Sequence, residues 1–349
     1  MNRRHFLGSA AAATAAAAFS TPRFAAAEQR VAAIRPHRLA AGDTVGLVAP
    51  ANATFQSVEL QIAKESLEAL GLKVLVGGHL LDRHGYLAGL DKDRAADING
   101  YFADPAVRAV LPIRGGWGSS RLLPYLDFDT IRRNPKVVLG YSDVSALLLA
   151  IHAKTGLVTF HGPNGMGRWD AFSVDYFKRM LMQGEAILFE NPHQLSDRNA
   201  LTQTENRTMT ITAGKARGPL IGGNLTVLTT IIGSPYLPAW DGAIFFCEDV
   251  GENYYRIDRM LTQLKLAGVL SKIAGFIFGT CSECGPGDDA FGALTLEEIF
   301  ADHIKPLGVP AWSGAMIGHA MPQWTLAEGI DVEADADAGT IRMLEPAVL

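Results

Sequence analysis

The stretch KVVLGYSDVSALLLA, residues 136–150, changes from a strand pattern to a helix pattern around a serine. Residues 137–139 are consecutive apolar residues, as is typical of a buried parallel strand, and Gly140 follows them directly. Ser142 and Asp143 then precede a segment rich in alanine and leucine, which favours a helix. Ser142 is therefore either the cap of a helix or a nucleophile raised on a sharp strand-to-helix turn.

The same alternation of short apolar runs and helical stretches extends on both sides of this segment. Strands are predicted at 45–49, 73–76, 107–113, 137–139 and 157–160, and helices at 57–70, 91–102 and 144–154. Strands that alternate with helices predict a parallel sheet with right-handed crossovers. Ligands of such sheets bind beyond the carboxyl ends of the strands, and Ser142 occupies such a position.

Residues 1–27 have the features of an export signal, so the fold prediction leaves them out. Arg3 and Arg4 resemble a twin-arginine signal, and an alanine-rich run leads to an A-x-A site that ends at Ala27. This run is too short and too rich in alanine to span a bilayer, which takes about 20 strongly apolar residues. We therefore expect cleavage near Ala27, a periplasmic location and no stable membrane insertion.

The composition is that of a soluble globular protein of about two domains, with 349 residues, 48% hydrophobic and 19% charged. Removing the three arginines of residues 1–27, a segment without acids, takes the formal net charge from −5 to −8. No run of lysine and arginine remains. Nucleic acids and anionic membrane surfaces are therefore poor candidates as partners.

Changes in the sequence pattern predict how the rest of the chain is divided. Residues 36–165 are predicted to form the α/β domain that carries Ser142. Residues 166–215 have weak periodicity and patches rich in Asn, Gln and Thr, so we interpret them as a linker. Residues 216–349 contain further apolar runs, among them GAIFFCED at 242–249, and are predicted to form a second, β-rich domain.

A serine nucleophile needs a base and a third group that orients the base. Glu248 and Asp249 end an apolar run, where a carboxylate commonly caps a helix or is solvated. His319 follows a glycine after another short apolar run. The chain order of serine, acid and histidine is that of α/β-hydrolases, although order alone discriminates little.

The glycine-rich stretch RGGWG, residues 114–118, follows a predicted strand. Consecutive glycines allow the backbone to approach a ligand closely, as in oxyanion and phosphate sites, but they also form simple tight turns. The stretch lacks the G-K-[ST] ending of a P-loop and does not match the G-x-G-x-x-G dinucleotide pattern.

Cys281 and Cys284 form a lone C-x-x-C, and Cys247 is the third cysteine. Structural zinc normally takes four ligands, and neither a second C-x-x-C nor a histidine pair accompanies this motif. We therefore predict no metal site. A local disulfide and two free thiols both remain open.

Several long motifs together resemble the LD-carboxypeptidases, serine peptidases of bacterial cell-wall recycling. YLAGL through TFHGP, residues 86–163, resembles the N-terminal domain of that family. LIGGNLTVLTTIIGSPYLP at 220–238, the segment 242–270 and GHA at 318–320 resemble its C-terminal domain. The resemblance implies a flavodoxin-like parallel-sheet N-terminal domain, a smaller β-rich C-terminal domain and an active site at their interface.

The resemblance also implies catalytic roles for particular residues. The family nucleophile lies in the segment GYSD, which makes Ser142 the nucleophile. The family acid ends the strand in CED, which points to Glu248 rather than Asp249. The family base is the histidine after glycine in GH, which is His319. No metal or cofactor is implied.

Other residues are expected to bind the substrate or the developing oxyanion. The backbone N–H groups of Asp143 and Gly116 would form the oxyanion hole. Arg114 is a candidate for binding the substrate carboxylate, and it could equally anchor its own loop. Asn224 and Tyr254 are candidates for lining the groove, without direct support from the sequence.

The activity implied is release of the terminal D-alanine from peptidoglycan tetrapeptide stems, so the expected partner is a muropeptide. Homodimers are common in the family. Trp117 replaces an expected tyrosine, and TLAEG at 325–329 replaces the usual Leu-Pro-x-Gly turn. A peptidase of the microcin C immunity type is one alternative, although its target is cytoplasmic. A non-catalytic periplasmic protein that binds wall fragments is the other.

Overall fold

The computed structural model describes residues 32–192, 201–288 and 292–349. The export signal predicted at 1–27 lies outside these residues. In the described part of the chain, no helix has both the length and the apolar character needed to cross a bilayer.

The strands and helices are numbered here in chain order. The strands are β1 (Thr44–Val48), β2 (Lys73–Val76), β3 (Val107–Pro112), β4 (Val137–Gly140), β5 (Thr159–His161), β6 (Leu188–Phe189), β7 (Met209–Thr212), β8 (Lys215–Asn224), β9 (Ile244–Val250), β10 (Gly275–Ser282), β11 (Ala311–Ala315), β12 (Leu326–Glu328), β13 (Asp331–Asp335) and β14 (Thr340–Met343). The helices are α1 (Ser57–Ala69), α2 (Asp91–Ala103), α3 (Phe128–Arg133), α4 (Ser145–Thr155), α5 (Ala171–Phe177), α6 (Leu225–Thr230), α7 (Tyr254–Leu266) and α8 (Leu296–His303).

The first sheet has six strands in the order β12-β5-β4-β3-β1-β2. Strands β1 to β5 pair in parallel, and their order is that of flavodoxin-like folds. This part of the fold prediction is confirmed. The sixth strand, β12, comes from the C-terminal region and pairs antiparallel with β5 at the edge of the sheet.

The second sheet has eight strands in the order β6-β14-β13-β8-β9-β10-β11-β7. Its four central strands, β8 to β11, are parallel, and the outer strands pair antiparallel. The β-rich second part of the fold prediction is therefore confirmed. Residues 166–215, interpreted above as a linker, carry α5, a π-helical turn and the strands β6 and β7.

Helix α4 lies between the two halves, where it contacts β4 and β5 on one side and β8 and α6 on the other. It is buried on nearly all sides. Its leucines Leu147, Leu148 and Leu149 are all buried, which suits a helix enclosed on every side. Each such side chain contributes about 2 kcal/mol by leaving water. At its start, the Ser145 hydroxyl accepts a hydrogen bond of 2.9 Å from the backbone N–H of Asn224, the last residue of β8. The carboxyl ends of β4 and β8 therefore meet.

Candidate active site

Ser142 stands on the connection between β4 and α4. Its φ of 64° lies in the left-handed region, which few residues other than glycine adopt. Tyr141 and Val144 occupy the N-cap positions of a 3₁₀ turn at Ser142–Val144 and of α4, and neither side chain forms a cap. The Ser142 hydroxyl faces His319. The Ser142 side chain therefore does not cap a helix. The backbone is that of a strained strand-to-helix turn from which a side chain projects.

Three of the predicted residues form one series of hydrogen-bonded side chains. The Nε2 of His319 lies 3.2 Å from the Oγ of Ser142, and its Nδ1 lies 2.7 Å from the Oε2 of Glu248. Because a carboxylate only accepts hydrogen bonds, Nδ1 carries the proton in the neutral ring. The Nε2 is then free to accept a proton from the Ser142 hydroxyl.

Local sequence explains how the imidazole reaches the carboxylate. Gly318 has a φ of 72°, and a Cβ at this position would overlap the Glu248 side chain. The backbone N–H of His319 also donates to Glu248 Oε2, at 3.3 Å. The Tyr141 ring packs edge-on against the imidazole, with 5.0 Å between ring centroids. Only glycine before the histidine lets the chain pass so close to the acid.

Glu248 and His319 shift each other's pKa in opposite directions. Burial favours the neutral imidazole, but the hydrogen bond and charge of Glu248, aided by Asp249 and Glu283, outweigh it and raise the pKa of His319. Burial likewise disfavours the Glu248 carboxylate, but the hydrogen bond and charge of His319 outweigh burial and lower the pKa of Glu248. The pair therefore favours a carboxylate next to a protonatable ring.

Asn224 supports the acid from the opposite side. Its side chain is buried, and its Nδ2 donates to Glu248 Oε1 and to Asp249 Oδ1, both at 3.2 Å. Asp249 instead accepts a hydrogen bond of 2.9 Å from the N–H of Thr226. Burial and the adjacent Glu248 raise the pKa of Asp249 to about 6. Of the two neighbouring acids, Glu248 is thus the one that contacts the histidine.

The glycine loop packs directly against the serine. A Cβ at Gly115 would lie 3.0 Å from Ser142 Cβ and 3.5 Å from the backbone nitrogen of Asp143. Gly116 has a φ of 118°, and a Cβ there would overlap the Asn52 side chain. The loop therefore needs both glycines to approach the serine this closely.

A cavity of about 370 Å³ opens between the glycine loop and the histidine. It is lined by Ile113, Arg114, Gly115, Gly116, Tyr141, Ser142, Asn164, Met166, Gly167 and His319. Arg114 also lies 3.3 Å from Glu59 Oε1. Asn224 and Tyr254 are not among the lining residues, and Tyr254 lies at the start of α7. Their contact with a substrate stays a prediction.

Two asparagines that the sequence did not single out hold backbone segments next to this cavity. Asn52 follows β1, and its Oδ1 accepts a hydrogen bond of 3.1 Å from the N–H of Trp117. Asn164 follows β5, and its Oδ1 accepts one of 3.2 Å from the N–H of Tyr141. Both lie beyond carboxyl ends of parallel strands, the signal that had singled out Ser142.

Cysteines and potential metal ligands occur elsewhere in the described part of the chain. Cys281 and Cys284 form a disulfide, the first of the two alternatives left open above. Side chains of His79, Asp82 and Asp93 also lie within 4.8 Å of one another. The first two already bind each other, with 2.8 Å between His79 Nδ1 and Asp82 Oδ2.

Two known domain families match most of this chain. The profile of the LD-carboxypeptidase N-terminal domain matches residues 45–162, and that of the C-terminal domain matches residues 217–334. This chain belongs to the LD-carboxypeptidase family. The predicted family and its carboxypeptidase activity are thereby confirmed.

Relatives of this LD-carboxypeptidase cover most of its length. It is 39% identical over 293 residues to a probable murein peptide carboxypeptidase of Bacillus subtilis, covering 82% of this chain and 87% of the relative. It is 32% identical over 284 residues to a murein tetrapeptide carboxypeptidase of Pseudomonas aeruginosa, covering 79% and 87%. A solved structure of the microcin C7 self-immunity protein MccF superposes with a TM-score of 0.81 at 28% identity, covering 90% of this chain and all of that one.

Proposed function

We propose that this LD-carboxypeptidase is a serine peptidase in which Ser142 is the nucleophile, His319 the general base and Glu248 the acid that orients the base. The observation that carries the proposal is the unbroken hydrogen-bonded series of these side chains, which begins at a serine of positive φ. That series has the geometry by which a hydroxyl is activated at neutral pH.

The reaction follows from the position of each group. Ser142 Oγ attacks the carbonyl carbon of the peptide bond that precedes the C-terminal D-residue, and His319 Nε2 takes the hydroxyl proton. When the C–N bond breaks, the same nitrogen returns that proton to the departing amine, leaving an acyl-enzyme. Water then attacks the ester with His319 again as base, which releases the shortened peptide and restores Ser142. Glu248 holds the ring tautomer and stabilises the imidazolium.

The oxyanion of each tetrahedral intermediate would be bound by the backbone N–H groups of Asp143 and Gly116. Asp143 directly follows the nucleophile, and Gly116 lines the same cavity. A single donor of this kind contributes about 3 kcal/mol of transition-state stabilisation in serine enzymes. No step in this scheme requires a metal ion.

The substrate proposed is a murein tetrapeptide, cleaved between diaminopimelate or L-lysine and the terminal D-alanine. The names of the relatives in Bacillus subtilis and Pseudomonas aeruginosa support this substrate class. Arg114, at the edge of the cavity, is the proposed partner of the free carboxylate that an exopeptidase must recognise. With the export signal predicted at 1–27, the enzyme would act on muropeptides in the periplasm.

Incubation with disaccharide tetrapeptide tests the proposal. The expected products are disaccharide tripeptide and free D-alanine, and mass spectrometry detects both. A folded Ser142→Ala variant should lose this activity, while Ser271→Ala, which alters an exposed serine in a turn, should keep it. Full activity in Ser142→Ala would refute the serine mechanism. Binding of the tetrapeptide without turnover by the wild type would favour the non-catalytic alternative.

The fold similarity to the microcin C7 self-immunity protein supports one second candidate. A solved structure of that protein holds aspartyl sulfamoyl adenosine. Measuring kcat/KM for the tetrapeptide and for this nucleotide distinguishes the two functions. We expect the tetrapeptide to be preferred, and a higher kcat/KM for the nucleotide would assign the chain to the immunity type.

A further inference from the structure

The carboxylate of Asp143 points away from the cavity although Asp143 directly follows the proposed nucleophile. The residue is completely buried, and its Oδ2 accepts a hydrogen bond of 2.7 Å from the backbone N–H of Ser119. Ser119 follows the last glycine of the loop at 114–118. The Asp143 side chain thus runs from the serine turn to the far end of the glycine loop.

A buried guanidinium meets the same peptide group from the other side. The side chain of Arg94, on α2, has no exposed surface. Its Nη1 donates to the carbonyl oxygen of Gly118 at 3.3 Å and to that of Pro50. The carbonyl of Gly118 and the N–H of Ser119 belong to one peptide unit. That unit is therefore held by a cation at its oxygen and by a carboxylate at its nitrogen.

Burying these two charges costs free energy, and packing alone does not require them. Charged groups are rarely buried completely unless they are paired. Arg94 forms an ion pair with Asp91, 2.5 Å from its Nη2, whereas within the described part of the chain the Asp143 carboxylate accepts only from backbone at the end of the glycine loop. The hydrogen bonds of both residues converge on the peptide unit that ends the glycine-rich loop. Gly116 and Gly118 both have positive φ, and glycine-rich backbone loses much conformational freedom on ordering.

Precise placement of this loop matters for the chemistry proposed above. An oxyanion donor is effective only within a few tenths of an ångström of the position of the developing charge. A misplacement of about 1 Å can cost roughly a hundredfold in rate. A clamp on the peptide unit 118–119 fixes the loop two residues beyond the Gly116 amide.

We propose that Asp143 and Arg94 are positioning residues, which clamp the peptide unit between Gly118 and Ser119 and so align the Gly116 amide with Ser142. The proposal rests on the proposed serine mechanism. Asp143 then has two tasks in that mechanism. Its amide binds the oxyanion, and its carboxylate fixes the loop that carries the second donor.

The test compares kcat and KM of Asp143→Asn, Asp143→Ala and Arg94→Lys. Asparagine can still accept a hydrogen bond from the N–H of Ser119 but carries no charge, so we expect kcat to fall about tenfold. Alanine accepts no hydrogen bond there, so we expect a fall of about a hundredfold. KM should stay within about twofold, because the clamp acts on the transition state. The double variant Asp143→Asn with Arg94→Lys should be no slower than the worse single variant, since both changes release one peptide unit.

Lys136→Met is the matched control for loss of a buried cation. The Nζ of Lys136 is buried in the same half of the molecule and donates to the carbonyl oxygens of Tyr101 and Asp104, away from the glycine loop. This variant should lower the melting temperature as the clamp variants do, but leave kcat within twofold. If the clamp variants also keep kcat within twofold, or if Lys136→Met lowers kcat as much as they do, the clamp is refuted.

Labelling of Ser142 by a fluorophosphonate separates failure of the clamp from failure of the substrate assignment. Phosphonylation uses the same nucleophile and oxyanion donors but no muropeptide. The labelling rate should fall in the clamp variants by the same factor as kcat. If the wild type is labelled but leaves the tetrapeptide uncut, the substrate is wrong, and slower labelling of the variants still supports the clamp. Equal labelling rates in wild type and variants refute it.

Discussion

The Nε2 of His319 lies 3.2 Å from the Oγ of Ser142, although 177 positions separate the two residues in the chain. Ser142 follows the parallel strand β4, Glu248 lies near the end of β9, and His319 follows β11. The first strand belongs to one sheet and the other two to the second. These three side chains therefore meet only because the carboxyl ends of parallel strands from both sheets converge. Both halves must fold for the hydrogen-bonded series to form.

The raised pKa of His319 predicts the acid limb of the pH profile. The proposed base must be neutral to accept the serine proton, so kcat/KM should fall as the pH drops through this pKa. Because the Glu248 hydrogen bond and charge outweigh burial, the midpoint should lie above the ordinary histidine value of about 6.5. A pH series of kcat/KM on tetrapeptide measures it.

Glu248→Gln provides the control for this prediction. Without the carboxylate, burial is opposed only by the weaker effects of the Asp249 and Glu283 charges, so the midpoint should move to lower pH. The rate at the plateau should also fall, by about ten-thousandfold if the histidine adopts the wrong tautomer. An acid limb at the same pH in the variant would show that another group is responsible for it.

Asn224 is expected to act through Glu248 rather than on the substrate. Asn224→Ser keeps an oxygen that can cap α6 but removes the amide that donates to Glu248. A hydrogen bond to a charged group is worth about 1.5–3 kcal/mol, so kcat should fall roughly 10- to 100-fold with little change in KM. Steady-state kinetics on the tetrapeptide separate the two constants, and a rise in KM alone would mean that Asn224 binds substrate.

A second capping residue controls for the effect on stability. Thr295 caps α8 through its hydroxyl. Thr295→Ala should lower the free energy of unfolding by about 1 kcal/mol and leave kcat unchanged.

Gly140 should tolerate no side chain, because the serine turn is packed tightly. A Cβ at Gly140 would lie 2.7 Å from Val144 Cγ1 and 2.9 Å from Pro112 Cγ. Gly140→Ala should therefore cost about 1–3 kcal/mol of stability and lower kcat by displacing the turn. Chemical denaturation and kinetics measure the two effects.

Gly100→Ala is the matched control for this substitution. Gly100 lies within helix α2, and a Cβ there has nothing within 4 Å. Alanine should stabilise the protein by about 0.5–1 kcal/mol and leave kcat unchanged. If Gly140→Ala were as stable and active as Gly100→Ala, the packing argument for the turn would be wrong.

Local sequence predicted the five parallel strands of the first sheet because each is an apolar run between helical stretches. The left-handed serine turn was one of two readings of GYSD, and choosing between them required the backbone angle of Ser142. Residues 326–328 carried no sign that they would join the first sheet, since β12 pairs with β5 across more than 160 positions. Such pairing depends on the tertiary fold rather than on local pattern.

The residues that support the candidate site gave less signal in the sequence than Ser142, Glu248 and His319. Arg94 lies in an ordinary helical pattern and resembles a surface arginine, yet it is buried against the glycine loop. Asn52 and Asn164 act on backbone groups of distant segments. Their contacts depend on how helices and loops pack, which residue type and spacing do not specify.

Glu328 is a completely buried acid on β12. Its Oε2 accepts a hydrogen bond of 3.3 Å from the hydroxyl of Thr159, while its Oε1 is buried without a partner among the described residues. Burial raises the pKa of Glu328 well above its ordinary value. The unfolded chain releases this proton above about pH 4.3 but the folded chain keeps it, so the group destabilises the fold increasingly as the pH rises.

Glu328→Gln should remove this pH-dependent cost, because the amide is neutral and can still accept from Thr159. The gain in free energy of unfolding over wild type, measured by chemical denaturation, should grow between pH 5 and pH 8. It should grow by up to about 1.4 kcal/mol per pH unit until the folded-state pKa is reached. Glu333→Gln, which removes a strand carboxylate paired with Arg217 near the surface, should show no such growth. A constant difference between Glu328→Gln and wild type across this pH range would mean that Glu328 is already ionised in the folded protein.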